Sequence, residues 1–232
     1  MKRRLLLGAL KRAAWAALGW GMSANMALAA DADRKVVLVG ASIGKAWHFE
    51  DLGRRSNLPG YSFAYLGKNA FDKGALIQEL VAEKERPAFV LIKECASYFW
   101  SDTSNYRQSL MAWVGQLRAA GIEPVLVTTA PVSEPEGVIP RAKIAVKHLL
   151  GRPEVQTDLT AYNDWLRQYA HQERLPLFDL EAVVRISSDD KHLRRDYDSG
   201  DGLHLSNAAY HALDREFAGF LRGLDAAGAP RP

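Results

Sequence analysis

From residue 30 onward the chain alternates short apolar runs of strand length with longer amphipathic stretches. Lys35 to Val39 is apolar and β-branched at consecutive positions, the pattern of a strand buried on both faces. Tyr61 to Leu66, Pro87 to Lys93, Pro124 to Thr128 and Leu175 to Leu180 supply four more candidate strands. Between them, Leu110, Trp113, Val114 and Leu117 fall at i, i+3, i+4 and i+7, and Tyr210, Leu213, Phe217 and Phe220 make a similar stripe on the last predicted helix. Apolar strands separated by amphipathic helices imply a parallel sheet covered on both faces. The expected class is therefore α/β: a three-layer α/β/α sandwich on a central, mostly parallel sheet of five strands, forming one domain over residues 30 to 232. Ala130 to Gln156 breaks the alternation, with Pro131, Pro135, Pro140 and Pro153 around a short basic segment. It is expected to cross the rim of the sheet, a helix included.

The first 29 residues follow another rule. Lys2, Arg3, Arg4, Lys11 and Arg12 precede an uncharged stretch that ends at Ala27-Leu28-Ala29, a small-x-small peptidase site. The segment reads as a secretory signal cleaved after Ala29, which places the domain in the periplasm or outside the cell. An uncleaved anchor is the other reading, and membrane contact is expected through this segment alone.

Export changes the charge argument. The whole chain has 30 basic and 27 acidic residues, but the leader holds five of the basic ones and none of the acidic, leaving a domain of net charge −2. The basic character belongs to the leader, so a nucleic-acid partner is not expected. Cys95 is the sole cysteine, and no Cys/His cluster has the spacing of a zinc site.

The first strand stops at Gly40-Ala41-Ser42-Ile43-Gly44. Ligands of open parallel sheets bind at the carboxyl ends of strands, so Ser42 stands where chemistry is done. A phosphate-binding loop is a poor match: Gly40 and Gly44 enclose three residues rather than four, and Ala46 follows Lys45 where Ser or Thr is needed. The α/β-hydrolase elbow is excluded, since its oxyanion loop precedes the serine, and with the leader removed only about a dozen residues do. A glycine turn with a serine helix cap is the bland alternative.

The far end of the chain favours chemistry. Asp201-Gly202-Leu203-His204 lies just before the last helix. A serine hydroxyl becomes a nucleophile when an imidazole takes its proton, and the imidazole needs a carboxylate to fix its tautomer. An Asp three residues ahead of a His supplies both from one segment.

With these two blocks the chain resembles the SGNH (GDSL-like) hydrolases. Gly40-Ala41-Ser42-Ile43 stands where that family has Gly-Asp-Ser-Leu or Gly-Asp-Ser-Ile, and Asp201 to His204 matches its terminal D-x-x-H block. Gly67 falls at the second-block glycine, and Tyr162-Asn163 with Trp165 and Leu166 resembles the helix before the last block. The resemblance implies the flavodoxin-like SGNH fold and a Ser42, His204 and Asp201 triad. It also implies an oxyanion hole from Ser42, Gly67 and a third-block side chain, with no cofactor and no metal. Two positions depart from the pattern. Ala41 replaces an aspartate that shapes the loop, and Cys95 stands nearest the third-block asparagine, where a thiol is a weak donor. Lys93, Asn69 and Asn105 are the candidate substitutes.

Other residues have two readings each. Lys93 and Glu94 are expected at the rim, paired with each other or touching substrate. Tyr98, Phe99 and Trp100 either stack on a sugar or fold back onto the sheet. Trp47 walls the site or packs under its helix, and His48 faces solvent. His148, His171, His192 and His211 receive no role. The function implied is an exported esterase acting on a small-molecule or glycan ester through a Ser42 acyl-enzyme, with O-acetyl groups of envelope or extracellular polysaccharide as one substrate class. The alternatives are an O-acyltransferase on polysaccharide, or a non-catalytic carbohydrate-binding or scaffolding protein that keeps the fold.

Overall fold

The computed structural model describes residues 33–68, 70, 72–96, 104–134 and 155–226. The expected leader, Asn69, the aromatic trio Tyr98, Phe99 and Trp100, His148 and most of the proline-rich excursion therefore lie outside the described residues.

Five strands form one sheet in the order β2-β1-β3-β4-β5, every pair parallel. They are β1 (Arg34–Gly40), β2 (Tyr61–Gly67), β3 (Phe89–Lys93), β4 (Glu123–Val127) and β5 (Leu177–Phe178). The helices are α1 (Ser42–Ala46), α2 (Leu52–Arg55), α3 (Gly74–Ala82), α4 (Ser104–Ala119), α5 (Val155–Glu173), α6 (Leu180–Val184) and α7 (Asn207–Ala226). Among the described residues, none is long and apolar enough to cross a membrane.

Successive strand residues point to opposite faces, and both faces are covered. Val36, Leu38, Phe89, Leu91, Val125 and Val127 pack with Trp47, Phe49, Leu213 and Phe217 on one side. Val37, Val39, Val90, Ile92 and Leu126 pack with Ile77, Leu110, Trp113, Leu117 and Leu166 on the other. The two helical stripes read from the sequence supply these contacts. Only the fifth strand is much shorter than expected. Asp179 accepts a hydrogen bond from the Ala182 N–H and caps α6, so the apolar run leaves the sheet after Phe178.

The order of strands matters for the site. β1 lies between β2 and β3, so the segments that follow these three strands emerge side by side. Gly40 pairs in register with Gly67, and the Lys68 N–H donates to the Gly40 carbonyl at 3.0 Å.

Candidate active site

Ser42 is the first residue of α1, directly after β1. The local sequence is explained by one ring. Tyr65 of β2 lies against Gly40, Gly44 and Gly67, and its hydroxyl donates to the Ala41 carbonyl at 2.8 Å. A Cβ at Gly44 would come within 2.8 Å of the Tyr65 ring, and one at Gly67 within 2.6 Å of its oxygen. The glycines around Ser42 therefore admit an aromatic side chain that pins the turn from beneath.

His204 and Asp201 sit on a tight turn between Tyr197 and Ser206. Ser199 N–H donates to the His204 carbonyl at 2.9 Å, and Ser206 N–H to the Tyr197 carbonyl at 2.8 Å. Asp198 holds the turn from inside: its Oδ1 accepts from the N–H groups of Gly200 (2.8 Å) and Gly202 (3.0 Å), and its Oδ2 from the Ser133 hydroxyl (2.5 Å). Gly200 and Gly202 have φ of +109° and +75°, the left-handed region that glycine enters without strain. Ser133 N–H also donates to the Gly202 carbonyl at 3.0 Å. Behind Ser133 the chain is anchored by Asn163, whose side chain accepts from the Thr129 N–H at 2.8 Å and donates to the Thr129 carbonyl at 2.9 Å. A continuous scaffold thus runs from α5 through the end of β4 to the turn that carries Asp201 and His204.

The three residues named from the sequence meet. His204 Nε2 lies 3.1 Å from Ser42 Oγ, and His204 Nδ1 lies 2.6 Å from Asp201 Oδ2. Asp201 Oδ1 accepts from the N–H groups of Leu203 (2.9 Å) and His204 (2.7 Å). The His204 side chain and its backbone N–H, with Leu203, hold the Asp201 carboxyl well below the usual carboxylate range, against a small opposing effect of burial. Asp201 is therefore ionised, and a carboxylate facing Nδ1 puts the imidazole proton there, leaving Nε2 to accept from Ser42.

Comparison with solved structures bears on the fold. The chain is similar to a GDSL-like lipase from Bacteroides thetaiotaomicron, with a TM-score of 0.61 and 14% identity over 84% of this chain and 89% of that one. It is similar to a catalytic mutant of an acetylxylan esterase from Geobacillus stearothermophilus, at a TM-score of 0.58 and 15% identity over 81% and 94%. TesA gives 0.55 and 21% over 82% and 99%. The chain has the SGNH hydrolase fold. No protein-family model and no curated protein matches its sequence.

Within this SGNH fold several expected site residues are placed differently. Trp47 is 1% exposed, packs with Phe49, Phe178 and Phe217, and donates from Nε1 to Asp214 Oδ1 at 2.8 Å, so it supports α1 from below and offers no wall to substrate. Lys93 and Glu94 are each 1% exposed and do not reach the rim. Lys93 Nζ donates to the Glu94 backbone carbonyl at 2.7 Å, while Glu94 Oε1 lies 2.6 Å from Lys73 Nζ. Cys95 is buried beside them. His48 faces solvent as expected, and Asn105 is exposed on α4. Tyr65, Ser133 and Asp198 support the site, and Lys73 pairs with Glu94; none of the four was singled out from the sequence. Gly40 and Gly44, which flank Ser42, were the available signal for Tyr65. Among the described residues no group of His, Cys, Asp or Glu has the arrangement of a metal site.

Burial pushes the Lys93 ammonium down to about 8, opposed by the adjacent Cys95 and Glu94. The unfolded lysine titrates near about 10.4, so between these values the unfolded chain holds a proton that the folded chain has released. Lys93 therefore makes stability rise with pH across this window. Urea midpoints measured at about pH 7.5 and about pH 10 should show a smaller rise for Lys93→Met than for the parent protein; equal slopes would contradict the assignment.

Proposed function

We propose that this protein is an exported serine esterase that cleaves acyl or acetyl esters through a covalent ester on Ser42. The observation that carries this reading is the unbroken hydrogen-bonded chain Ser42–His204–Asp201 at the carboxyl end of the sheet. His204 Nε2 takes the Ser42 proton as Oγ bonds to the carbonyl carbon. The same proton then passes to the leaving alcohol oxygen as the ester C–O bond breaks. Water repeats the sequence in reverse roles, giving up a proton to Nε2 as it attacks the acyl-enzyme and freeing Ser42.

The negative oxygen formed in both steps faces the N–H groups of Ser42 and Gly67 in this reading. Ser42 opens a helix, so its N–H has no intrahelical acceptor. Gly67 lies beside Gly40 in the neighbouring strand.

Two observations support a polymeric or surface-bound ester. The side chains of His204 and Asp201 are 39% and 51% exposed, open enough for a group carried on a large substrate. One of the similar structures is an acetylxylan esterase. Export rests on the basic and apolar pattern of residues 1 to 29.

The test is hydrolysis of p-nitrophenyl acetate by the chain from Ala30 onward, followed by acetate release from acetylated xylan. Turnover of both is expected. Cleavage confined to long-chain acyl esters would remove the acetyl-polysaccharide assignment, and absence of any ester turnover would remove the enzymatic one. Transfer of labelled acetate to a sugar hydroxyl, in place of release, would make the protein an acyltransferase.

A further inference from the structure

The C-terminal end of β3 buries three charged side chains. Lys73 is fully buried, and Lys93 and Glu94 are each 1% exposed. Lys73 Nζ contacts Glu94 Oε1 at 2.6 Å and donates to the Ala70 carbonyl at 3.2 Å. These contacts join two stretches of chain. Lys73 closes the segment that begins at Gly67 and leads into α3, whereas Glu94 belongs to the segment that leaves β3 and continues to Cys95. The resemblance assigns the oxyanion hole to these same two segments, and Cys95 occupies the place of its missing side-chain donor.

Energy alone does not account for the pair. Removing two charges from water costs several kcal/mol each, and apolar side chains of similar size often serve stability as well or better. A buried pair is better explained by what it fixes. Here it fixes Lys73, at the start of α3, relative to the end of β3, and a shift of about 1 Å in a donor group carried by either segment is enough to cost on the order of a hundredfold in rate.

We infer that the Lys73–Glu94 ion pair is a positioning device for the oxyanion pocket, tying the segment that follows Gly67 to the Cys95 segment. The inference rests on Ser42 being the nucleophile. Neither Lys73 nor Glu94 touches substrate; both act through the backbone they hold.

The double variant Lys73→Met/Glu94→Leu tests it, because it removes both charges while refilling the space. A urea midpoint at or above that of the parent is expected, with kcat for p-nitrophenyl acetate lowered about a hundredfold and KM changed less than about twofold. A stable double variant with kcat within about threefold of the parent would overturn the inference, since the pair would then only fill volume. Should the double variant fail to fold, Glu94→Gln decides. It is near-isosteric and weakens the hold on Lys73, so kcat should fall at least about tenfold at unchanged KM, and an unchanged kcat would overturn the inference. A parent protein with no turnover and no reaction of Ser42 with a fluorophosphonate would remove the esterase reading and this inference together. An active parent matched by its stable double variant would remove the inference alone.

Discussion

Ser42→Ala and His204→Ala are each expected to lower kcat for p-nitrophenyl acetate by about 10⁴- to 10⁶-fold, and combining them is expected to cost no more than either alone. The triad works as one unit, so the loss of any part that moves the proton removes the whole step. Ser42→Ala takes away the atom that carries the acyl group in the proposed mechanism. His204→Ala takes away the acceptor 3.1 Å from that atom and leaves a hydroxyl with no base. Both changes are at partly exposed positions and remove little packing, so urea midpoints should stay close to that of the parent protein. Steady-state kinetics with a single-turnover control checks both statements. Additive losses would mean that the two residues act separately.

Asp201→Asn is expected to cost about 10⁴-fold in kcat for a different reason, a wrong imidazole tautomer. Asp201 Oδ1 accepts two backbone N–H groups, from Leu203 and His204, and Oδ2 faces His204 Nδ1. An asparagine keeps its single oxygen on the two N–H groups, because nothing else satisfies them, and so turns its NH₂ toward Nδ1. Nδ1 must then be the bare nitrogen and Nε2 must carry the hydrogen. The ring keeps its position but points a donor at Ser42. KM should change little while kcat falls, and ¹⁵N chemical shifts of the imidazole should show the hydrogen moved from Nδ1 to Nε2. An Asn variant with its hydrogen still on Nδ1 and full activity would show that Asp201 has no part in setting the tautomer.

The parts of the site that were legible in the sequence are those carried by short local patterns. A β-branched run ending in Gly40-Ala41-Ser42, and an Asp three residues before a His, declare a strand end and a loop to helix junction without any knowledge of the fold. The helical stripes were legible because burial on one side imposes a 3.6-residue period. The fifth strand was overextended since Leu175 to Leu180 is apolar on both sides of the point where Asp179 turns the chain into a helix, and periodicity does not separate two buried elements joined end to end. Lys93 and Glu94 were placed at the rim because charged side chains rarely sit in cores unless paired. The pairing partner, Lys73, is 21 residues from Glu94 in the chain, and nothing local to either residue announces it. Asp198 was hidden in the same way: YDSGDG reads as turn formers, and only the arrival of Ser133 from the end of β4 shows that the carboxylate joins two segments. Trp47 was ambiguous because a large aromatic one turn past Ser42 suits a wall or a floor equally, and its indole N–H bond to Asp214 places it as floor.

Ester cleavage in the proposed mechanism requires Ser42 to be activated by His204. Treating the protein with a fluorophosphonate and mapping the modified peptide tests this directly. Adduct on the peptide that contains Ser42, lost in His204→Ala, is the outcome expected; a parent protein that stays unmodified, or one modified equally well without His204, would contradict it.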